Sequence, residues 1–217
     1  MVADAVAILG GTGKEGRGLA ARWARAGRHV TLGSRDPERA RVTAAEVAKI
    51  SGGQVSGASN MDACAAAGVV VLATPFAALD ATVSANAPAL AGKLVISAVI
   101  PLRVADGEIS VIDVAEGSAA QLVAARLPQS RVAAAFHNVS AVHLNNLERQ
   151  LDEDIPVAAD SEADRGVVID LCADLGARGV GVGPLRLARY LEGFTAVLLT
   201  LNKLNRTQTG IRFTGLP

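Results

Sequence analysis

Apolar residues fall in short continuous runs, separated by stretches with helical spacing. Ala5–Leu9 is an apolar run stopped by glycine, the pattern of a buried strand. Arg17–Ala26 carries Leu19, Ala20, Trp23 and Ala24 on one helical face and stops at Gly27. His29–Leu32 predicts a second strand, closed by Gly33-Ser34-Arg35. Asp36-Pro37-Glu38 opens the next helix, with proline in the first turn and acids that suit the dipole; it runs to about Ile50 and breaks at Gly52-Gly53. Gln54–Gly57 predicts a short edge strand and Asn60–Ala67 a short helix. Val69–Ala73 is continuously apolar, as a central parallel strand should be. Thr74-Pro75 ends it, and Phe76–Leu90 predicts a helix. Leu94–Ser97 is another buried strand, Ser118–Leu127 a helix, and Arg131–Phe136 the last clear strand of the series. Further on, Pro156–Ala159 and Gly179–Val182 are short strands around an Asp164–Leu175 helix, and Leu185–Leu204 is a long, mostly apolar helix.

Strand and helix thus alternate to about residue 136. This predicts an α/β fold: a doubly wound parallel sheet, helices on both faces, right-handed crossovers and a small C-terminal α/β extension packed on the sheet edge. The expected division is 1–140 for the main domain and 141–217 for the smaller one.

Composition narrows the function. The chain has 217 residues, 50% of them hydrophobic and 19% charged, enough for a sizeable core and too apolar for a disordered chain. Lys plus Arg is 21 and Asp plus Glu is 21, so the basic excess of a nucleic-acid binder is missing. Aromatics at 3% are too few for base-stacking platforms. No apolar run approaches the ~18 residues of a membrane span. The opening MVADAVAILGG has no basic region before its apolar run, so no signal peptide is expected. Cys64 and Cys172 lie in apolar helical stretches and read as buried thiols. Together these features lead to the expectation of a cytoplasmic, soluble protein.

The chemistry begins at Gly10-Gly11-Thr12-Gly13-Lys14-Glu15-Gly16. Gly11, Gly13 and Gly16 fit G-x-G-x-x-G between a predicted strand and a predicted helix, the context of a Rossmann-type dinucleotide fold. Gly11 permits the tight turn, Gly13 the approach of a pyrophosphate, and Gly16 close helix–strand packing, while free N–H groups at the helix start hold the anion. A P-loop is excluded, because position 8 is Ile8 and no hydroxyl residue follows Lys14. NAD sites end the second strand in a carboxylate for the ribose 2′-OH; here Ser34 and Arg35 stand there, with Arg39 a turn on. A hydroxyl and guanidinium groups attract a 2′-phosphate that a carboxylate would repel, so NADP(H) is expected. Thr74-Pro75-Phe76 and Ser97-Ala98-Val99 follow two strands at their carboxyl ends and are expected to border the nicotinamide. No nucleophile triad or metal-ligand spacing is present.

Further motifs carry a resemblance: Ala135-Phe136-His137 with Ser140-Ala141, Asp154-Ile155-Pro156-Val157, Gly183-Pro184-Leu185, and the late helix from Leu199 to Asn202. In this order, with the glycine loop, Gly33-Ser34-Arg35 and Thr74-Pro75, the chain resembles the NADPH:coenzyme F420 oxidoreductases over nearly its whole length. The resemblance implies two cofactors, NADP(H) and coenzyme F420, as small-molecule substrates. It also implies hydride transfer between nicotinamide C4 and deazaflavin C5 in a cleft completed by the C-terminal part, and a homodimer, for which the apolar late helix would serve as interface. Thr12, Ser34, Arg35 and Arg39 would hold the phosphates; Thr74, Pro75 and Ala98 would line the nicotinamide; His137, Asn138 and Val139 would face the deazaflavin. Related sequences can read His-Thr-Ile-Pro at His137-Asn138-Val139-Ser140, and Trp at Phe76.

His137 is the weak candidate for a chemical role, as a hydrogen-bond donor or proton buffer. His143 reads as structural, and Lys203 as an edge lysine, since Gly193 does not stand at the G-x-x-x-K distance from it. Two other functions fit the same motifs: an NADPH-dependent reductase of a flavin, quinone or small imine or keto substrate, and a non-catalytic NADP(H)-binding redox sensor.

Overall fold

A computed structural model describes residues 5–105 and 107–216. The opening residues 1–4, part of the stretch from which a signal peptide was excluded, lie outside them. Strand β1 (Ala5–Leu9) leads into helix α1 (Lys14–Arg25), then β2 (His29–Ser34), α2 (Pro37–Ser51), β3 (Val55–Ser59), α3 (Asn60–Ala66), β4 (Val69–Leu72), α4 (Phe76–Leu90) and β5 (Leu94–Ser97). A hairpin follows, β6 (Leu102–Ala105) and β7 (Glu108–Val111), then α5 (Ala119–Arg126), β8 (Arg131–Ala134) and α6 (Ala141–Asn145). The chain closes with β9 (Asp154–Ala159), α7 (Glu162–Asp174), β10 (Arg178–Gly183), a 3₁₀ turn at Leu185–Leu187 and α8 (Ala188–Asn205).

The main sheet has 8 strands in the order β10-β9-β8-β5-β4-β1-β2-β3. The chain winds outward from β1 through β2 to β3, then returns to place β4 on the other side of β1. This reversal opens a crevice between the carboxyl ends of β1 and β4, the place where open α/β sheets bind ligands. All pairings are parallel except β8 with β9. The expected parallel sheet is therefore extended by an antiparallel step, and β9 and β10, both beyond residue 140, join the same sheet.

Period-two alternation divides the core. Val6, Ile8, Val69, Val71, Leu94 and Ile96 pack on one face with Leu19, Trp23, Val47, Val168 and Leu171 of α1, α2 and α7. Ala7, Leu9, Val70, Leu72 and Val95 pack on the other with Ala63, Leu79, Val83, Leu122, Val123 and Ala188 of α3, α4, α5 and α8. Cys64 and Cys172 are buried and unpaired, as expected.

Three differences from the sequence expectation have local causes. The strand expected through Phe136 ends at Ala134, because Phe136 adopts φ 74°, a left-handed conformation that no strand continues through. Helix α7 begins at Glu162, before Asp164, because Ser161 Oγ accepts the Asp164 N–H at 3.3 Å as an N-cap. The β6–β7 hairpin is a separate antiparallel pair with mostly exposed residues, so its sequence carries no core-facing alternation. Lys203, the expected edge lysine, is exposed and donates from Nζ to the Gly107 carbonyl at 2.6 Å, tying α8 to the turn of that hairpin.

One buried cation holds the phosphate-loop helix to the C-terminal half. Arg22 on α1 donates to the carbonyls of Leu144, Leu175, His143, Asn146 and Arg149 at 2.7–3.1 Å. Beside it, Trp23 Nε1 donates to the Leu171 carbonyl, and the indole meets Phe136 edge-on with centroids 5.6 Å apart.

Candidate functional site

The turn after β1 is built by glycine where a side chain would not fit. Gly10 has φ +79°, and a Cβ there would lie 2.6 Å from the Ala73 carbonyl oxygen. A Cβ on Gly16 would meet Gly11 Cα at 2.6 Å, so the start of α1 can press against the loop only as glycine. Gly13 occupies the N-cap of α1 with no side-chain cap, which leaves the first N–H groups of the helix open.

This loop forms the floor of a cavity of about 520 Å³ at the β1–β4 crevice. Of the residues expected at the cofactor, Thr12, Gly13, Lys14, Glu15, Ser34, Arg35, Arg39, Thr74, Pro75, Phe76, Ala98 and Val99 line it together. Gly11 and Gly16 are buried behind the loop and line neither this cavity nor its neighbour. His137, Asn138 and Val139 instead line an adjoining cavity of about 240 Å³, with Ser140, Thr195, Leu198, Asn202, Gln208 and Thr209. The two cavities share two residues, Glu15 and Ile100.

Charge in the larger cavity favours an anion. Lys14, Arg35 and Arg39 line it against the single carboxylate of Glu15. Among the described residues neither Arg35 nor Arg39 forms an ion pair; the neighbouring Asp36 is engaged as N-cap of α2, accepting from Glu38 and Arg39 N–H groups. Ser34 Oγ accepts the Asp36 N–H at 3.1 Å, and its own hydroxyl hydrogen remains available.

Among the described residues, buried polar atoms without partners line these cavities: Thr74 Oγ1, Glu15 Oε1, Asn60 Oδ1, His137 Nε2 and Asn138 Oδ1. A fold leaves few such atoms unless a ligand or water satisfies them. Burial pushes the Glu15 carboxyl up to about 8. It pushes His137 down to about 4, against a backbone hydrogen bond at Ser97 that favours the charged form. Burial thus favours the neutral imidazole near pH 7, which argues against the proton-buffer role considered for it. With one ring N–H on the Ser97 backbone, Nε2 is left as an acceptor. His143 is structural, as expected: its carbonyl binds Arg22, and its Nδ1 lies 3.9 Å from Glu153 Oε1.

Sequence reasoning missed Asn60, Thr82 and Ile100 in the first cavity and Thr195, Gln208 and Thr209 in the second. For Asn60 and Ile100 a signal existed, since each lies just beyond the carboxyl end of a strand. For the C-terminal residues none did. Among the described residues, no group of His, Cys, Asp or Glu could hold a metal ion, and no helix is long and apolar enough to cross a membrane.

Sheet order, glycine loop and cationic crevice define a Rossmann-type α/β fold of the class that binds dinucleotides. The family model described as "NADP oxidoreductase coenzyme F420-dependent" matches residues 5–101. The chain is 41% identical to the F420-dependent NADP reductase of Methanothermobacter thermautotrophicus, covering 98% of this chain and 95% of the relative. It is 36% identical to the enzyme of the same name from Methanocaldococcus jannaschii, over 97% and 98% of the two chains. A crystal structure from Arthrobacter sp. FB24, provisionally named an F420-dependent NADP-reductase, superposes with TM-score 0.81 at 26% identity, covering 96% of this chain and 99% of that one. A reductive aminase from Aspergillus terreus, solved with NADPH, shares the fold at TM-score 0.66 and 20% identity, over 94% of this chain and 63% of that one. The chain belongs to the F420-dependent NADP reductase family.

Proposed function

We propose that this chain catalyses reversible hydride transfer between NADPH and the deazaflavin coenzyme F420, with the two cavities holding the two carriers. The supporting observation is their common wall at Glu15 and Ile100, which would bring a nicotinamide in one against a ring system in the other. The carriers supply the redox chemistry, a hydride moving between nicotinamide C4 and deazaflavin C5. The protein's part is then positioning and exclusion of water.

In this reading Thr12, Gly13, Lys14 and the open N–H groups of α1 hold the pyrophosphate. Ser34, Arg35 and Arg39 hold the 2′-phosphate, with guanidinium groups free to pair with it. Thr74, Pro75, Phe76, Ala98 and Val99 wall the nicotinamide, and Thr74 Oγ1 gains the partner it lacks. His137, Asn138 and Val139 face the deazaflavin, where His137 Nε2 and Asn138 Oδ1 accept hydrogen bonds. Gly11 and Gly16 act by shaping the loop.

We further divide the chain at residue 140. Residues 1–140 bind NADP(H), and 141–217 supply the far wall of the second cavity through Thr195, Leu198, Asn202, Gln208 and Thr209. A homodimer is supported by exposed Tyr190, Phe194, Val197, Leu201 and Leu204 on α8, next to Val104 and Val111 on the hairpin. A cytoplasmic location suits two unpaired thiols. The test is a single anaerobic turnover, with NADPH-loaded protein mixed with coenzyme F420. Loss of the deazaflavin absorbance within the mixing experiment is expected; an unchanged spectrum refutes the reading.

A further inference from the structure

Glu15 is out of place for a phosphate loop. It is the single carboxylate lining either cavity among the described residues, and it stands between the two. Its residue surface is partly exposed, yet Oε1 is closed to solvent and has no hydrogen-bond partner among the described residues. The open N–H end of α1, on which Glu15 sits, and the cations of the larger cavity favour its charged form, but among the described residues none is bonded to that atom and burial prevails. Lys14 is its chain neighbour on α1. Arg35 and Arg39 lie at the β2 end of the larger cavity. From the loop after β8 comes His137, whose burial favours the neutral imidazole; from the loop after β5 comes Ile100; from α6, α8 and the tail come Val142, Asn202, Gln208 and Thr209, none of them charged.

A lone carboxyl in such a place is stable as the uncharged acid and becomes a stable anion when a positive charge is placed beside it. The two redox forms of the nicotinamide differ in that respect: the NADP⁺ ring carries a positive charge and the NADPH ring none. The phosphates of the two forms are the same.

We propose that Glu15 discriminates the redox state of the bound nicotinamide, staying a carboxylic acid against NADPH and giving its proton to solvent when NADP⁺ occupies the site. This rests on the functional reading above, which places the nicotinamide at the Glu15–Ile100 wall. Burial raises the Glu15 carboxyl to about 8, so the free protein holds the proton at neutral pH. NADP⁺ affinity then increases with pH up to that value and levels off above it. NADPH affinity lacks this component. Contributions from the 2′-phosphate and from loop charges are common to both forms and cancel in the ratio of their dissociation constants.

The test is calorimetric titration of the wild-type protein with NADP⁺ and, separately, with NADPH near pH 7, in two buffers of different ionisation enthalpy. NADP⁺ should release about one proton more than NADPH. The ratio Kd(NADP⁺)/Kd(NADPH) should fall by about tenfold or more between about pH 6 and pH 8. In Glu15→Gln the excess proton should vanish and the ratio should change by less than about twofold over the same range. Equal proton release for the two forms in wild type overturns the inference, as does an excess that persists in Glu15→Gln. Both leave the functional reading standing. Failure of both forms to bind overturns the functional reading and the inference together.

Discussion

Replacing Arg22 with Met should destabilise the fold more than any change at the cleft. Arg22 is 8% exposed, and its side chain donates to five carbonyls contributed by the C-terminal ends of α6 and α7 and the loop beyond α6. Two of these have other partners, since His143 O also accepts the Asn146 N–H and Asn146 O the Arg149 N–H. The carbonyls of Leu144, Leu175 and Arg149 depend on the guanidinium. A buried acceptor left without a donor costs about 1–3 kcal/mol, so the buried Leu144 and Leu175 carbonyls together give a gross loss of about 2–6 kcal/mol, to which the part-buried Arg149 carbonyl adds a smaller share. Relief from desolvating the cation and the packing of a methionine offset part of it. A net loss of about 3–5 kcal/mol follows. At about 2–4 °C per kcal/mol for a chain of this size, Tm falls by roughly 6–20 °C. Arg22→Lys should fall between, because an ammonium has three donors and no planar fork. Urea unfolding at fixed protein concentration, followed by circular dichroism, reads the change in midpoint. A loss below about 1 kcal/mol for Arg22→Met would refute the view that this residue fastens α1 to the C-terminal half.

Other outcomes follow from the same structure. Arg35→Ala and Arg39→Ala should each raise KM for NADPH about 5- to 30-fold and leave KM for NADH within twofold, as expected for an exposed charge-assisted phosphate contact worth about 1–2 kcal/mol. Gly16→Ala should abolish NADPH binding, measured by fluorescence titration, because its Cβ would fall 2.6 Å from Gly11 Cα. Glu192 is buried on α8, accepts the Ala119 and Ala120 N–H groups, and is raised by burial from 4.5 to about 7. A raised carboxyl contributes stability that is full below pH 4.5 and lost as pH climbs through about 7. Stability measured across that interval should therefore decline less steeply with pH in Glu192→Gln than in wild type. Light scattering on a sizing column should return twice the chain mass, and Phe194→Glu on the exposed face of α8 should shift it toward the single chain.

The elements that carry the site were legible because their signals are local. The strands Ala5–Leu9 and Leu94–Ser97 and the helix Phe76–Leu90 end where glycine, proline or a change in periodicity says they should. The glycine loop and Ser34-Arg35 were legible for the same reason, since a strand–turn–helix fixes them within a few residues of one another. What stayed hidden depends on distant parts of the chain. The direction of β9 is set by packing across the sheet rather than by its own residues. The hairpin shows no alternation because neither face meets the core, and α6 is too short for a helical period. Arg22 looks like any helix arginine until α6 and α7 bring their carbonyls to it. Thr195, Gln208 and Thr209 enter the second cavity through tertiary contacts with no motif of their own. Glu15 sat inside a recognised motif, but its place between two cavities follows only from the fold.

The most direct test of the whole account is the initial rate of deazaflavin absorbance change with purified protein. Coenzyme F420 is paired with NADPH and then NADH, and FMN serves as the control acceptor. The account predicts rapid reduction of coenzyme F420 by NADPH, little by NADH and little transfer to FMN. Tight NADPH binding with no turnover of coenzyme F420 would contradict it.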